Sequence, residues 1–133
     1  MRKLIYICIL ACAAWLTPGA LFAQGPPWPS KALRIIVPGG VGGTIDIRAR
    51  WLAPRMAVAL GQSVVVENKP GAGGNIGTEI GARSAPDGYT LVMIHQGTMA
   101  VNPHLYARVG YDPLVDFIIY FKSFHGTLAI TIQ

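Results

Sequence analysis

The residues of this chain that can do chemistry sit in glycine-rich stretches, each following a run of β-branched residues. The first is Pro38-Gly39-Gly40-Val41-Gly42-Gly43-Thr44-Ile45-Asp46. Its glycines let a ligand approach the backbone, and a helix starting at its end presents unpaired N–H groups and the positive end of its dipole. That combination suits a carboxylate or another anion. A flexible loop feeding a helix, with Asp46 favourably placed in the first turn, fits the same residues. Composition does not choose between the two.

The second stretch is Asn68-Lys69-Pro70-Gly71-Ala72-Gly73-Gly74-Asn75-Ile76-Gly77. A phosphate-binding P-loop ends in Gly-Lys-Ser/Thr, and no lysine follows these glycines. A dinucleotide fingerprint needs G-x-G-x-x-G, but Ile76 stands where the third glycine belongs. Nucleotide binding is excluded, and an anion cradle at a helix start survives. The third stretch, His95-Gln96-Gly97-Thr98-Met99, offers the Thr98 hydroxyl to a ligand oxygen.

Catalysis finds no machinery. No serine lies in a nucleophile-elbow pattern, and both cysteines, Cys8 and Cys12, fall near the N-terminus. His95 ends a strand-like run, but a lone histidine without nucleophile or metal partners reads as a polar loop residue, and His104 and His125 read no differently. There is no metal constellation and no pair of catalytic carboxylates. The reading is a non-enzyme without cofactor or metal.

The elements that must position these loops are legible as an alternation. Leu33 to Val37, Ser63 to Glu67 and Thr90 to Ile94 are short β-branched runs bounded by turn formers, as buried strands are. Between the first two, Ile45, Ala49, Leu52, Met56 and Leu60 recur at helical spacing, which predicts a helix over 44–60. Thr44 is its expected N-cap, Gly61 its stop, and Pro54 an expected kink. A weaker helix is predicted over 75–84, with Gly77 and Gly81 inside it, before the turn Ala85-Pro86-Asp87-Gly88. Strand, helix, strand, helix, strand predicts right-handed βαβ units, an α/β fold and a largely parallel sheet. Open sheets of that kind place ligands beyond the carboxyl ends of their strands, where all three loops lie.

The N-terminus reads as an address. Arg2 and Lys3 precede an uncharged apolar run from Leu4 to Leu16, Thr17-Pro18-Gly19 breaks it, and Ala20-Leu21-Phe22-Ala23 supplies the small residues of a cleavage site. These features predict a secretory signal peptide over 1–23. Ile9-Leu10-Ala11-Cys12 also resembles a lipoprotein box, but the apolar segment ahead of Cys12 is very short. Cleavage leaves about 110 residues, enough for one small domain and too few for two lobes with a cleft. It also lowers the formal charge of +5 by two. The remaining basic residues are scattered, without the stripe that nucleic-acid binding needs.

Taken together, the loops resemble a known family. Trp28-Pro29-Ser30-Lys31 ahead of Leu33 to Pro38, Gly42-Gly43-x-x-Asp46-x-x-Ala49-Arg50, and above all Val64 through Gly77 are similar to the tripartite tricarboxylate transporter (Bug-type) solute receptors. Ala85 to Leu91, Gly97-Thr98, Val101-Asn102-Pro103, Leu105-Tyr106, Tyr111-Asp112-Pro113 and Asp116-Phe117 continue the likeness in order. The resemblance implies a type II periplasmic binding fold, whose two α/β lobes close on a small di- or tricarboxylate and deliver it to a membrane permease. It implies a periplasmic location, and a sensor role for some members. By position it carries over Gly42, Gly43, Thr44 and Asp46, then Gly73, Gly74 and Asn75, then Gly97 and Thr98 as ligand-binding residues. Gly39 stands where the family often has a bulky residue.

The expected organisation is therefore an extended lead-in over 24–32, a partial first lobe over 33–117, and a divergent tail over 118–133 that follows a frameshift or premature stop. Half a cleft predicts weak or absent ligand binding. The competing expectation is a self-sufficient small secreted module, which needs Thr127 to Ile132 to pair as a substitute strand.

Overall fold

The computed structural model describes residues 27–123 and 126–131, with side chains as far as Ile118. The signal peptide, the lipoprotein-box reading, the start of the lead-in and His125 lie outside the described residues. The elements are β1 (Leu33–Val37), α1 (Thr44–Leu60), β2 (Val64–Asn68), α2 (Asn75–Ala82), β3 (Thr90–Ile94), α3 (Asn102–Leu105), β4 (Phe117–Ser123) and β5 (Gly126–Thr131). A 3₁₀ turn, Ala72–Gly74, leads into α2, and a π-helical turn, Gly97–Val101, leads into α3.

The sheet order is β2-β1-β3-β5-β4. β1 lies between β2 and β3 and is parallel to both, with Ile35 opposite Val66 on one side and Leu91 on the other. The two βαβ crossovers expected from the alternation are thus present. β1 and β3 are buried on both faces, because α1 covers one side while α2 and the chain beyond β3 cover the other. Ile35, Val37, Leu91 and Met93 pack on Ala49 and Ala53 of α1, while Ile36, Val92 and Ile94 face Ala82, Tyr111 and Phe117. The alternation within each strand supplies both layers.

Local details depart from expectation in ways that have causes. β2 begins one residue later than expected and is only partly buried, since it forms the sheet edge with one covered face. The N-cap of α1 is Gly43 rather than Thr44, with no side-chain bond of its own, and α1 runs through Pro54 without interruption. Arg55 donates to the Trp51 carbonyl at 2.6 Å and stacks 3.7 Å from its ring centre, partnering a carbonyl in the turn that the proline weakens. Gly61 ends the helix in the left-handed region, as expected. α2 stops at Ala82, two residues short of the expected end, as Ser84 N–H turns back to the Gly81 carbonyl at 2.9 Å.

The last strand does pair. β5 lies antiparallel against β3, with Val92 opposite Ala129 and Ile94 opposite Thr127. β4 lies antiparallel to β5 on its far side and so runs in the same sense as β3. The sheet is mixed at this edge, and β5 is its one reversed strand among the described residues.

Candidate functional site

Parallel pairing brings Val37 and Asn68 level with one another, and β3 ends beside them. The loops after all three strands therefore gather at one edge of the sheet. Lys69 N–H extends the ladder past the strand end by donating to the Val37 carbonyl at 2.8 Å.

Gly74 is where they meet. It is buried at φ 96°, and a Cβ there would lie 2.9 Å from Thr98 Cγ2, 3.1 Å from His95 Nε2 and 3.1 Å from the Pro38 carbonyl oxygen. Only a residue without a side chain lets three loops close to this distance. Gly77, one turn on, would place a Cβ 2.6 Å from the Lys69 carbonyl oxygen and 2.7 Å from Pro38 Cα. Backbone is packed on backbone here. Gly77, which weakens α2 as a helix, is what lets it sit against the ends of β1 and β2.

In the first loop the Asp46 carboxylate is 2 % exposed and fully engaged. It accepts from Arg50 Nε at 3.0 Å, from the Gly42 amide at 2.8 Å and from Asn68 Nδ2 at 3.0 Å. Arg50 and then the Gly42 amide hold its pKa down to about 2, against the smaller opposing effect of burial. Asn68 also donates to the Gly39 carbonyl at 3.1 Å and accepts from Arg50 at 2.9 Å. Asp46 thus ties the first loop to the end of β2. The first bond into α1 is Ile47 N–H to the Gly43 carbonyl at 2.9 Å, and the amides of Thr44, Ile45 and Asp46 lack partners within the helix. Thr44 itself is exposed.

The second loop is held from below. The Asn75 side-chain oxygen accepts from Asn102 Nδ2 at 2.6 Å and from the Tyr111 hydroxyl at 3.0 Å, and all three residues are buried. Asn102 also donates to the Gly73 carbonyl at 3.1 Å, and Tyr111 to the Thr98 carbonyl at 2.6 Å. Burial raises the Tyr111 pKa, so it stays a phenol and a donor. The Gly74 amide is used in a turn to the Gly71 carbonyl at 2.9 Å. Ala72, at φ 47°, adopts a left-handed backbone that a non-glycine residue rarely takes.

In the third loop the Thr98 hydroxyl is 0 % exposed and donates to the His95 carbonyl at 3.0 Å. The Gly97 amide donates to His95 Nδ1 at 3.0 Å. By sequence His95 reads as an ordinary polar loop residue. The structure sets its ring between Gly97 and Gly74, a placement that no local pattern reveals.

The residues carried over from sequence thus stand together at one sheet edge, in different states. The amides of Gly42, Gly43, Gly74 and Gly97 and the side-chain oxygens of Asp46, Asn75 and Thr98 are bonded within the chain. Among the described residues, the first-turn amides of α1, the Thr44 hydroxyl and His95 Nε2 make no such bonds.

The family described as the tripartite tricarboxylate transporter family receptor matches residues 48–129, a span that reaches past Phe117 into the tail. The protein BugT of Bordetella pertussis is 42 % identical over 92 residues, which cover 68 % of this chain and 28 % of BugT. Among solved structures, the periplasmic binding protein BugD is 46 % identical with a TM-score of 0.65, covering 68 % of this chain and 30 % of its own. MatC of Rhodopseudomonas palustris, with bound malate, is 38 % identical with a TM-score of 0.65, covering 68 % of this chain and 31 % of its own. A second R. palustris protein, Rpa4515 with adipate, is 39 % identical with a TM-score of 0.66, covering 69 % and 32 %. The chain spans about three-tenths of the length of the curated relatives it matches. The matched span and the shared α/β sheet together place this chain in the tripartite tricarboxylate transporter receptor family, a family of solute receptors with the periplasmic-binding-protein fold.

Proposed function

We propose that this chain supplies one wall of a periplasmic receptor site for a small carboxylate that is handed to a membrane permease. The observation that carries the reading is the convergence at Gly74, where three strand-end loops meet at the sheet edge from which α1 starts with first-turn amides unpaired inside the helix. Such amides stabilise an anion without a buried cation, since each N–H and the helix dipole contribute partial positive charge. The malate and adipate of two neighbours support a dicarboxylate ligand. The amides of Thr44, Ile45 and Asp46 and the Thr44 hydroxyl are the contacting donors in this reading. Gly73, Gly74 and Gly97 shape the surface, while Asp46, Asn75 and Thr98 hold the loops in register through their internal bonds.

Receptors of this type bury the ligand between two lobes, and one wall makes only part of the contacts. Affinity on the order of 1 mM, equivalent to about 4 kcal/mol, is expected for the isolated chain. The test is a malate titration of the 15N-labelled chain at matched ionic strength. Saturable shifts of the Thr44–Asp46 and Gly73–Gly74 amides support the reading. Shifts no larger than those given by chloride sink it.

One observation favours a second reading. A self-sufficient small α/β binding module needs its last strand to complete the sheet, and β5 pairs with β3 along four residue pairs. A single cooperative unfolding transition of the chain supports that reading, and a broad non-cooperative one removes it.

A further inference from the structure

The donors around Gly74 are mostly consumed inside the fold, and one side-chain donor is not. His95 Nδ1 accepts the Gly97 amide at 3.0 Å, so in the neutral ring the proton sits on Nε2. Burial lowers the His95 pKa, which keeps the ring neutral at pH 7. Nε2 has no hydrogen-bond partner among the described residues. No buried side-chain nitrogen or oxygen among them lacks a partner, so Nε2–H reaches solvent.

The ring is held, not merely exposed. A Cβ on Gly97 would fall 2.6 Å from His95 Cε1 and 2.8 Å from Nδ1. A Cβ on Gly74 would fall 3.1 Å from Nε2. The imidazole therefore fills the space that two glycines leave, with its rotation fixed by the Gly97 amide. A solvated loop histidine needs neither glycine nor anchor.

We propose that His95 is a ligand-contacting residue of the carboxylate site, its Nε2–H donating to a ligand oxygen at the junction of the loops after β1, β2 and β3. This rests on the carboxylate reading above and adds to it a side-chain contact and a selectivity. A fixed neutral donor bonds to carboxylate or hydroxyl oxygens and rejects cationic groups, so malate is preferred to its amino analogues at this position.

The alternative role is that of a cap, with Nδ1 serving only the Gly97 amide. Two variants separate them. His95→Asn can keep an acceptor near Nδ1 but has nothing at the position of Nε2. His95→Gln can keep a donor near Nε2 but loses the acceptor. Malate is titrated against the native chain and both variants by amide shifts, with the melting temperature measured alongside.

Losing a hydrogen bond to a charged ligand weakens binding about tenfold or more. The expected result is that loss in His95→Asn with a near-native melting temperature, while His95→Gln stays within about threefold of native affinity. Native affinity in His95→Asn, or equal losses in both variants with lowered melting temperatures, overturns the contact and leaves the cap. Absence of malate binding by the native chain removes the carboxylate reading and this one together.

Discussion

Replacing Gly77 with alanine tests whether the loops are set by backbone-on-backbone packing. In an unconstrained helix the change is favourable, by about 0.5–1 kcal/mol. Here the new methyl would stand 2.6 Å from the Lys69 carbonyl oxygen and 2.7 Å from Pro38 Cα. Both are main-chain atoms at the ends of β2 and β1, so neither can swing aside as a side-chain tip would. Relief requires α2 to move away by roughly half an ångström or more, and overpacking of this kind costs about 1–3 kcal/mol. Main chain on both sides favours the upper part of that range. The net effect is a destabilisation of about 1–2 kcal/mol, or roughly 5–10 °C in melting temperature for a domain of this size. The assay is thermal unfolding followed by circular dichroism, with two controls. Gly40→Ala meets no atom within 4 Å and leaves the melting temperature unchanged or slightly raised. Gly61→Ala also meets nothing, but its φ of 65° costs about 1 kcal/mol in left-handed strain. A Gly77→Ala chain as stable as the native one, or more so, refutes the close approach.

Three further outcomes follow from the same contacts. The depressed pKa of Asp46 contributes stability that is present above the unfolded value of 3.8 and lost as pH falls towards about 2. Asp46→Asn therefore flattens the fall in melting temperature across that interval, while lowering the melting temperature at neutral pH. Tyr111→Phe removes the one hydroxyl proton that the Thr98 carbonyl and Asn75 Oδ1 share, and Asn75 Oδ1 keeps only Asn102 as donor. It costs about 1–3 kcal/mol in urea denaturation, and a cost under about 0.5 kcal/mol argues against a shared network. Deleting residues 117–133 uncovers the edge of β3, whose residues are buried throughout. Aggregation detected by light scattering is expected, and a monodisperse monomer contradicts it.

The three parallel strands were legible because each is a short β-branched run closed by turn formers, and a buried strand leaves few other readings of such a run. The gathering of the three loops at one sheet edge is legible for the same reason, since parallel strands put every following loop on one side. What stayed hidden depends on contacts distant in sequence. Asp46 looked like an N-terminal acid of α1, and its bond to Asn68 crosses 22 positions. The Asn75–Asn102–Tyr111 network joins residues up to 36 apart. The β-branched residues from Thr127 onward mark a strand that can pair, but its direction and its place between β3 and β4 depend on which sheet edge is left uncovered. Gly77 and Gly81 counted against a helix locally, whereas the packed fold requires them. For Gly81 the reason is Val92, whose Cγ2 would be 2.1 Å from an added Cβ.

The first strand to be made among the described residues, β1, is the middle one of the three parallel strands. β1 has no neighbour until residue 64 exists and no second neighbour until residue 90, a separation of 56 positions between Arg34 and Thr90. High contact order of this kind slows folding, because long loops must close before any pairing rewards them. An emerging chain therefore cannot pair β1 on both sides until residue 90 has been made. A central strand placed first thus delays closure of the parallel sheet until β3 has been made.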